Sequence, residues 1–428
     1  MKYNKDLAIK TLVEFCRLLI GVVFVFSGFV KAIDPMGFEI KISEYLAVWG
    51  MGAFQPLALI GAFNLIAIEF TLGVGILLGV YRRYASLLAL ALMLVMTPLT
   101  LYLALFNPVT DCGCFGDALV ISNWETFFKN IVLLGASVFV FVHYRKMLSC
   151  YTLKVRWFVP LFAYVCCLFF SYWNYNHLPL IDFRPYKTGV NIPAQMSIPE
   201  GAPEDEYRYS FVYEKEGVKK EFSLDDYPAE DSSWTFVESR LELIKKGYIP
   251  PIASFNLLDR EGNEATDWVL NQEGDVFLLI AARLEEASDE RIGEISNLYD
   301  YALEQGIPFY CLTGSSGETI KTWTEQTGAE YPFLEADEAL LKTIIRSNPG
   351  LVWLKSGTIL EKWHYNDLPG EEKIARLLTA YREGGGGKEK QKSWIYISVL
   401  TFTLPLLLVW IYDLLQFRRK RKRMEEEK

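Results

Sequence analysis

Histidine is scarce in this chain of 428 residues: there are three, His143, His177 and His364, and none stands beside the cysteine pair at 112 and 114. A ligand set of Asp111, Cys112, Cys114 and Asp117 would lack the imidazole common in zinc sites, so no metal is expected. Low-complexity sequence is also missing. Apolar residues make up 51% and charged residues 22%, with a mean hydropathy of +0.15, which excludes a disordered chain. The middle of the chain lacks basic charge. Residues 174–387 hold 38 Asp and Glu against 20 Lys and Arg, a net of −18, whereas the whole chain is −9 and the flanks are therefore +9. Phosphate binding needs a basic face, so this acidic block argues against nucleic acid as a partner.

The flanks carry what the middle lacks. Apolar runs near 11–33, 54–80, 84–106, 124–143, 157–173 and 394–412 are long enough to cross a bilayer. The first is too long for a signal peptide and has no small-residue cleavage site after it, so it reads as an uncleaved anchor. Lys and Arg collect before span one, at Arg82 and Arg83, between Arg145 and Arg156, and in the run from Arg418 to Arg423. Six spans put all four clusters on one side, which the positive-inside rule makes the cytoplasm. Both termini are then cytoplasmic, and the loops 34–53 and 107–123 and the acidic block face outward. The expected fold class is a multi-pass α-helical membrane bundle plus a soluble α/β domain. The bilayer is its first partner.

Within the acidic block, residues 207–224 alternate like a hairpin turning at Glu216–Gly217, and a helix is expected near 233–246. From 249 onward strands alternate with helices: strand 276–282, helix 289–305, strand 308–313, helices 318–327 and 337–346, then strands 351–354 and 358–363. Gly384–Gly387 opens a flexible linker.

Of the seven cysteines, Cys16, Cys166 and Cys167 lie within spans, Cys150 lies in a cytoplasmic loop, and Cys311 lies inside a predicted strand as an inert buried thiol. Only Cys112 and Cys114, in "DCGCFGD", lie together on the oxidising side. A turned pair two residues apart meets the Cα spacing of a disulfide, with Gly113 free to adopt positive φ. Such a tight ring is strained and exchangeable and removes little loop entropy, which favours redox exchange over a rigid staple, although both readings stand. Asp111 and Asp117 weigh against a thiolate there. Just downstream, "SNWE" forms a capping box of Ser122 and Glu125 that starts span four. Inside the membrane, Glu69 needs a partner. Arg17, with Glu14 one turn before it, is the expected one, as a packing pair or as a proton or quinone site. Gly61, Gly73 and Gly75 are expected at close helix contacts, and Lys31 and Asp34 as interfacial anchors.

Two resemblances follow from these motifs. "SFNLLDREGNEATDW" and "SNPGLVWLKSGTILEKW", with the core strand between, resemble the TlpA/peroxiredoxin branch of thioredoxin-like domains over 250–383. The resemblance implies a cis peptide before Pro349. It also implies a Cys-x-x-Cys after the first core strand, where this chain has "AARLEEAS". The domain is therefore expected to keep the fold, lack the redox chemistry and act as a binding module. "CRLLIGVVFVFSGFVKAIDPMGFEIKISEYL", "DCGCFGDAL" and "NWETFFKNIVLL" resemble the MauE/DoxX superfamily of four-helix membrane proteins over about 11–150, with MauE the nearer branch. MauE takes its name from methylamine utilisation, where it is implicated in maturing a disulfide-rich subunit, and DoxX relatives are linked to quinone-coupled sulfur oxidation. The resemblance implies thiol or quinone chemistry at the outer face, with quinone the one cofactor it suggests. Four-helix disulfide generators use a second cysteine pair, which this chain lacks outside.

The expected organisation is a four-helix membrane domain at 1–150, a fifth span at 151–173, a hairpin and connector at 174–249, a degenerate thioredoxin-like domain at 250–383, a linker at 384–393, and a last span with a basic tail at 394–428. The expected function is thiol–disulfide exchange or maturation at Cys112 and Cys114, in the inner membrane of a Gram-negative-type cell, with a periplasmic thiol or disulfide protein as partner. A non-enzymatic scaffold is the alternative.

Overall fold

The computed structural model describes residues 2–109, 111–203, 205–215, 217–223, 226, 233–245, 247–383 and 390–426. Among them six helices are long and apolar enough to cross a membrane: Lys5–Ile33, Gly52–Leu77, Arg82–Phe106, Asn123–Val142, Phe158–Asn176 and Tyr396–Arg419. They belong to α1 (Lys2–Ile33), α3 (Ala58–Leu77) with the single turns before it, α4 (Arg82–Phe106), α5 (Asn123–Val142), α6 (Phe158–Asn176) and α13 (Lys390–Glu426). The chain is a multi-pass membrane protein. The capping box at Ser122 and Glu125 starts α5 with both reciprocal hydrogen bonds in place.

The loop after span one holds an unexpected helix, α2 (Pro35–Val48). Asp34 is its N-cap, its carboxylate accepting from the Gly37 N–H at 2.9 Å, and Pro35 fills the first turn, where its missing N–H costs nothing.

Helices α1 and α3 run antiparallel in close contact. A Cβ on Gly73 would stand 2.7 Å from the Val25 nitrogen, and one on Gly28 would stand 2.8 Å from the Phe70 nitrogen. Gly61 and Gly75 have open space instead, so of the three expected contact glycines only Gly73 is one. Gly73→Ala is therefore expected to cost about 1–3 kcal/mol through overpacking. Gly61→Ala should be neutral or slightly stabilising, because alanine is the better helix former. Thermal unfolding of the two variants in detergent checks the contrast.

The soluble part has two sheets. In the smaller, β1 (Glu206–Lys215) is flanked by β2 (Val218–Ser223) and β3 (Thr235–Lys245) in the order β2-β1-β3, all antiparallel. The helix expected near 233–246 is thus a strand. Val237 and Leu241 alternate with Glu238, Arg240 and Glu242, and pairing along β1 decides between two periodicities that a short segment fits about equally. The hairpin turn falls partly outside the described residues, since Glu216 is not among them. The linker at Gly384–Gly387 lies outside them entirely.

The larger sheet has β4 (Asp275–Ile280), β5 (Phe309–Thr313), β6 (Phe333–Glu335), β7 (Gly350–Lys355) and β8 (Thr358–His364) in the order β6-β5-β4-β7-β8. The first three run parallel and the last two antiparallel to their neighbours. Val276, Leu278 and Ile280 fill the core on one face while Phe277 and Leu279 fill the other, so the central strand is apolar throughout. Helices α9 (Ile292–Glu304), α10 (Gly317–Thr327), α11 (Glu338–Ile344) and α12 (Glu371–Arg382) cover the sheet, with short α7 (Ile192–Met196) and α8 (Thr266–Leu270) at its margin. This strand order, with a cis bond at Asn348–Pro349 leading into β7, is the thioredoxin-like arrangement. Where that fold carries its dithiol, a single turn at Leu284–Glu286 holds Glu285 against Ser315 and Thr319, and Cys311 is fully buried in β5.

Candidate functional site

Cys112 and Cys114 lie in the connection between α4 and α5, at the end of the bundle that also carries α2 and the soluble domain. The features expected around them are local in sequence; the supports come from distant elements. The Ser27 hydroxyl donates to the Cys114 carbonyl at 2.6 Å, and the Tyr45 hydroxyl donates to the Cys112 carbonyl at 3.1 Å. Asp111 accepts from the Gly113 N–H and pairs with Lys41 at 2.9 Å. Phe115 packs on Phe26 and beneath the Lys129 ammonium. Gly113 has φ +67°, and a Cβ added there would stand only 3.1 Å from Lys41 Cγ. Clamped this way, the two sulfurs approach to 2.8 Å, so a small side-chain rotation separates the thiol pair from a bond of about 2.05 Å.

The two thiols are unequal. A hydrogen bond from the Cys112 thiol, with the Lys129 and Lys31 charges assisting against the effect of burial, holds Cys114 down at about 6. The same hydrogen bond, together with burial, pushes Cys112 well above the usual thiol range. Asp111 is neutralised by Lys41, and Asp117 lies 3.6 Å from Arg346, so the two flanking acids are offset by cations.

The intramembrane acid is paired differently from the sequence expectation. Glu69 meets Lys31 at 2.7 Å, with side-chain exposures of 17% and 6%. Arg17 pairs instead with Glu14 at 2.6 Å and donates to the Leu148 carbonyl at the other end of the bundle. Fourteen residues separate Arg17 from Lys31, about 21 Å along a helix, and the antiparallel packing sets Glu69 level with the latter. Lys31 is thus a buried ion-pair member, not an interfacial anchor. Asp34 both caps α2 and binds Arg346 of the soluble domain at 3.0 Å. Over the loop lies a cavity of about 730 Å³, floored by Gly113 and Lys31 and roofed by Arg184, Lys342 and Arg346. Sequence reasoning missed Ser27, Tyr45, Lys129 and Arg346. Only α2, and with it Tyr45, had a signal, the Asp-Pro cap.

The model of the family described as methylamine utilisation protein MauE matches residues 9–143. This segment is MauE-like. The match spans α1 to α5 and the whole cysteine loop, and stops before the soluble part. A domain of unknown function, DUF8463, matches residues 207–246, the three-stranded sheet of the connector. Among solved structures, an uncharacterised conserved protein from Geobacillus kaustophilus is 17% identical over 32% of this chain and 82% of its own, with a TM-score of 0.25. A putative protein disulfide isomerase from Bacteroides thetaiotaomicron is 17% identical over 30% and 84%, with a TM-score of 0.24. No curated protein matches the chain significantly.

Proposed function

We propose that the chain is an inner-membrane thiol–disulfide exchange or maturation protein that works through Cys112 and Cys114. The observation that carries the reading is the pair of sulfurs held 2.8 Å apart by a loop clamped from α1 and α2. In the exchange, a client thiolate attacks one sulfur of the loop disulfide, the S–S bond breaks, and its electron pair leaves on the other sulfur. A second client thiolate then attacks the client's own sulfur in the mixed disulfide. The client departs as a disulfide, having passed two electrons to the loop. The positive-inside pattern supports a periplasmic loop and soluble domain with both termini in the cytoplasm. The thioredoxin-like domain, without a dithiol of its own, serves to bind the partner.

The quinone implied by the DoxX resemblance finds suitable residues in a second cavity of about 510 Å³ between α6, α13 and the soluble domain. Phe169, Phe170 and Trp173 would flank the ring, and His177, paired with Asp367 at 2.8 Å, would meet a carbonyl oxygen. When bound, a quinone supplies a two-electron, two-proton acceptor. One observation favours the scaffold alternative: Cys112 is only 6% exposed, as a structural staple would be.

Thiol trapping in intact membranes, with Cys114→Ser beside wild type, separates the two. Exchange predicts a wild-type population whose oxidised fraction shifts with mild reductant, and a mixed-disulfide adduct on Cys112 of the variant. A pair that stays oxidised and yields no adduct makes it a staple.

A further inference from the structure

We propose that the buried Lys31–Glu69 pair governs the charge state of the reduced cysteine loop: Lys31 is the counter-ion of its thiolate, and Glu69 competes with that thiolate for Lys31. The proposal deepens the redox reading of the loop and rests on it for its biological use.

The geometry begins with α1. Three of its residues touch the loop: Phe26 through the Phe115 ring, Ser27 through the Cys114 carbonyl, and Val30, whose Cγ1 lies 3.5 Å from where a Cβ on Gly116 would be. Lys31 follows Ser27 by one helical turn and so shares its face. It lines the same cavity as Gly113 and is held from the far side by Glu69 and over the Phe38 ring. A cation this deep is poorly screened, so its field at the sulfurs exceeds that of a solvated lysine at similar range. The other charges about the loop are Lys129 from α5, half-buried on Phe115; Lys41 of α2 with its partners Glu44 and Asp111; and Asp117 with Asp34, both bound by Arg346, beside Arg184 and Lys342 of the cavity roof. The Tyr45 hydroxyl is engaged by the Cys112 carbonyl. An ion pair buried in the membrane is costly to insert, and stabilising helix contact alone would be served as well by apolar side chains.

The test uses the full chain in detergent, reduced with a phosphine, with iodoacetamide alkylation of the Cys112–Cys114 peptide followed by mass spectrometry across pH. Wild type should reach its half-maximal rate near pH 6, rising as pH climbs through that value. Lys31→Met should slow alkylation at pH 7 by at least ten-fold and move the midpoint up, with Lys31→Arg restoring most of the rate. Glu69→Gln should move the midpoint down, the opposite direction. A purely structural role predicts shifts of the same sign in both variants, or none, and either result overturns the proposal. If Lys31→Met fails to fold, Glu69→Gln decides alone: a downward shift supports it, and an upward or absent shift sinks it. Because the protein is reduced beforehand, this outcome is independent of whether a client adduct forms on Cys114→Ser.

Discussion

Arg346→Glu is expected to undock the soluble domain from the membrane bundle and to raise labelling of Cys112 and Cys114 by a bulky, membrane-impermeant maleimide on the order of 100-fold. Arg346 stands between α11 and β7, two residues before Asn348 and the cis bond to Pro349. Its Nη1 donates to the Lys342 carbonyl at 2.6 Å, which fixes the side chain, and its Nε reaches Asp34 at 3.0 Å. Its third nitrogen, Nη2, lies 3.6 Å from Asp117, just beyond the cysteines. The guanidinium is 10% exposed and Asp34 19%, so water screens the contact poorly. Removing one member of such a pair leaves a desolvated carboxylate, which costs roughly 2–4 kcal/mol at this partial burial. Glutamate adds repulsion from Asp34 and Asp117. The charge swap Arg346→Glu with Asp34→Arg should recover part of the docking, and a double-mutant cycle reads the coupling. Labelling that stays at the wild-type rate in Arg346→Glu would show that the domain does not guard the loop.

How much of this was legible in the sequence divides by distance along the chain. The spans follow from hydropathy, the start of α5 from its capping box, and the buried β4 from an apolar run with both faces covered. All three are local. The cysteine loop itself was legible too, because its chemistry lies in seven consecutive residues, Asp111 to Asp117. What supports it was not: Ser27 reaches a carbonyl 87 positions away, Lys31 meets Glu69 across 38, and Arg346 meets Asp34 across 312. Assigning Glu69 to Arg17 followed the charge inventory of span one but lacked the helix register, which the Gly28 and Gly73 contacts set. The third strand of the small sheet was read as a helix because its pairing partner lies about thirty residues upstream.

Lys362→Met is expected to lower the melting temperature of the soluble domain on the order of 10 °C and to loosen its hold on the cysteine loop at the same time. Lys362 lies in β8, with its ammonium buried beneath the sheet edge. It donates to the Asp182 carboxylate, to the Tyr186 carbonyl at 2.8 Å and to the Ile344 carbonyl at 3.0 Å. Asp182 and Tyr186 belong to the connector leaving α6, and Ile344 ends the helix that presents Arg346. One ammonium thus ties the tether, the sheet and the docking arginine together. Burial, aided by Arg184, pushes Lys362 down to about 8 even with Asp182 beside it. Burial also acts to raise Asp182, but Lys362 and Arg184 outweigh it and hold the carboxyl at about 2. The sign follows: Asp182 contributes stability that is complete above about pH 4 and is lost as pH falls toward 2, since the unfolded chain binds its proton first. Methionine removes the stronger constraint and leaves two carbonyls unpaired, at about 3–5 kcal/mol. Arg184, still 2.8 Å from Asp182, should keep the carboxyl low but less so, moving the acid loss of stability to higher pH. Thermal unfolding followed by tryptophan fluorescence reads the first effect across pH, and maleimide labelling of Cys112 and Cys114 reads the second. A variant that melts early yet labels at the wild-type rate would separate the domain's stability from its docking and show that Arg346 holds the domain without help from Lys362.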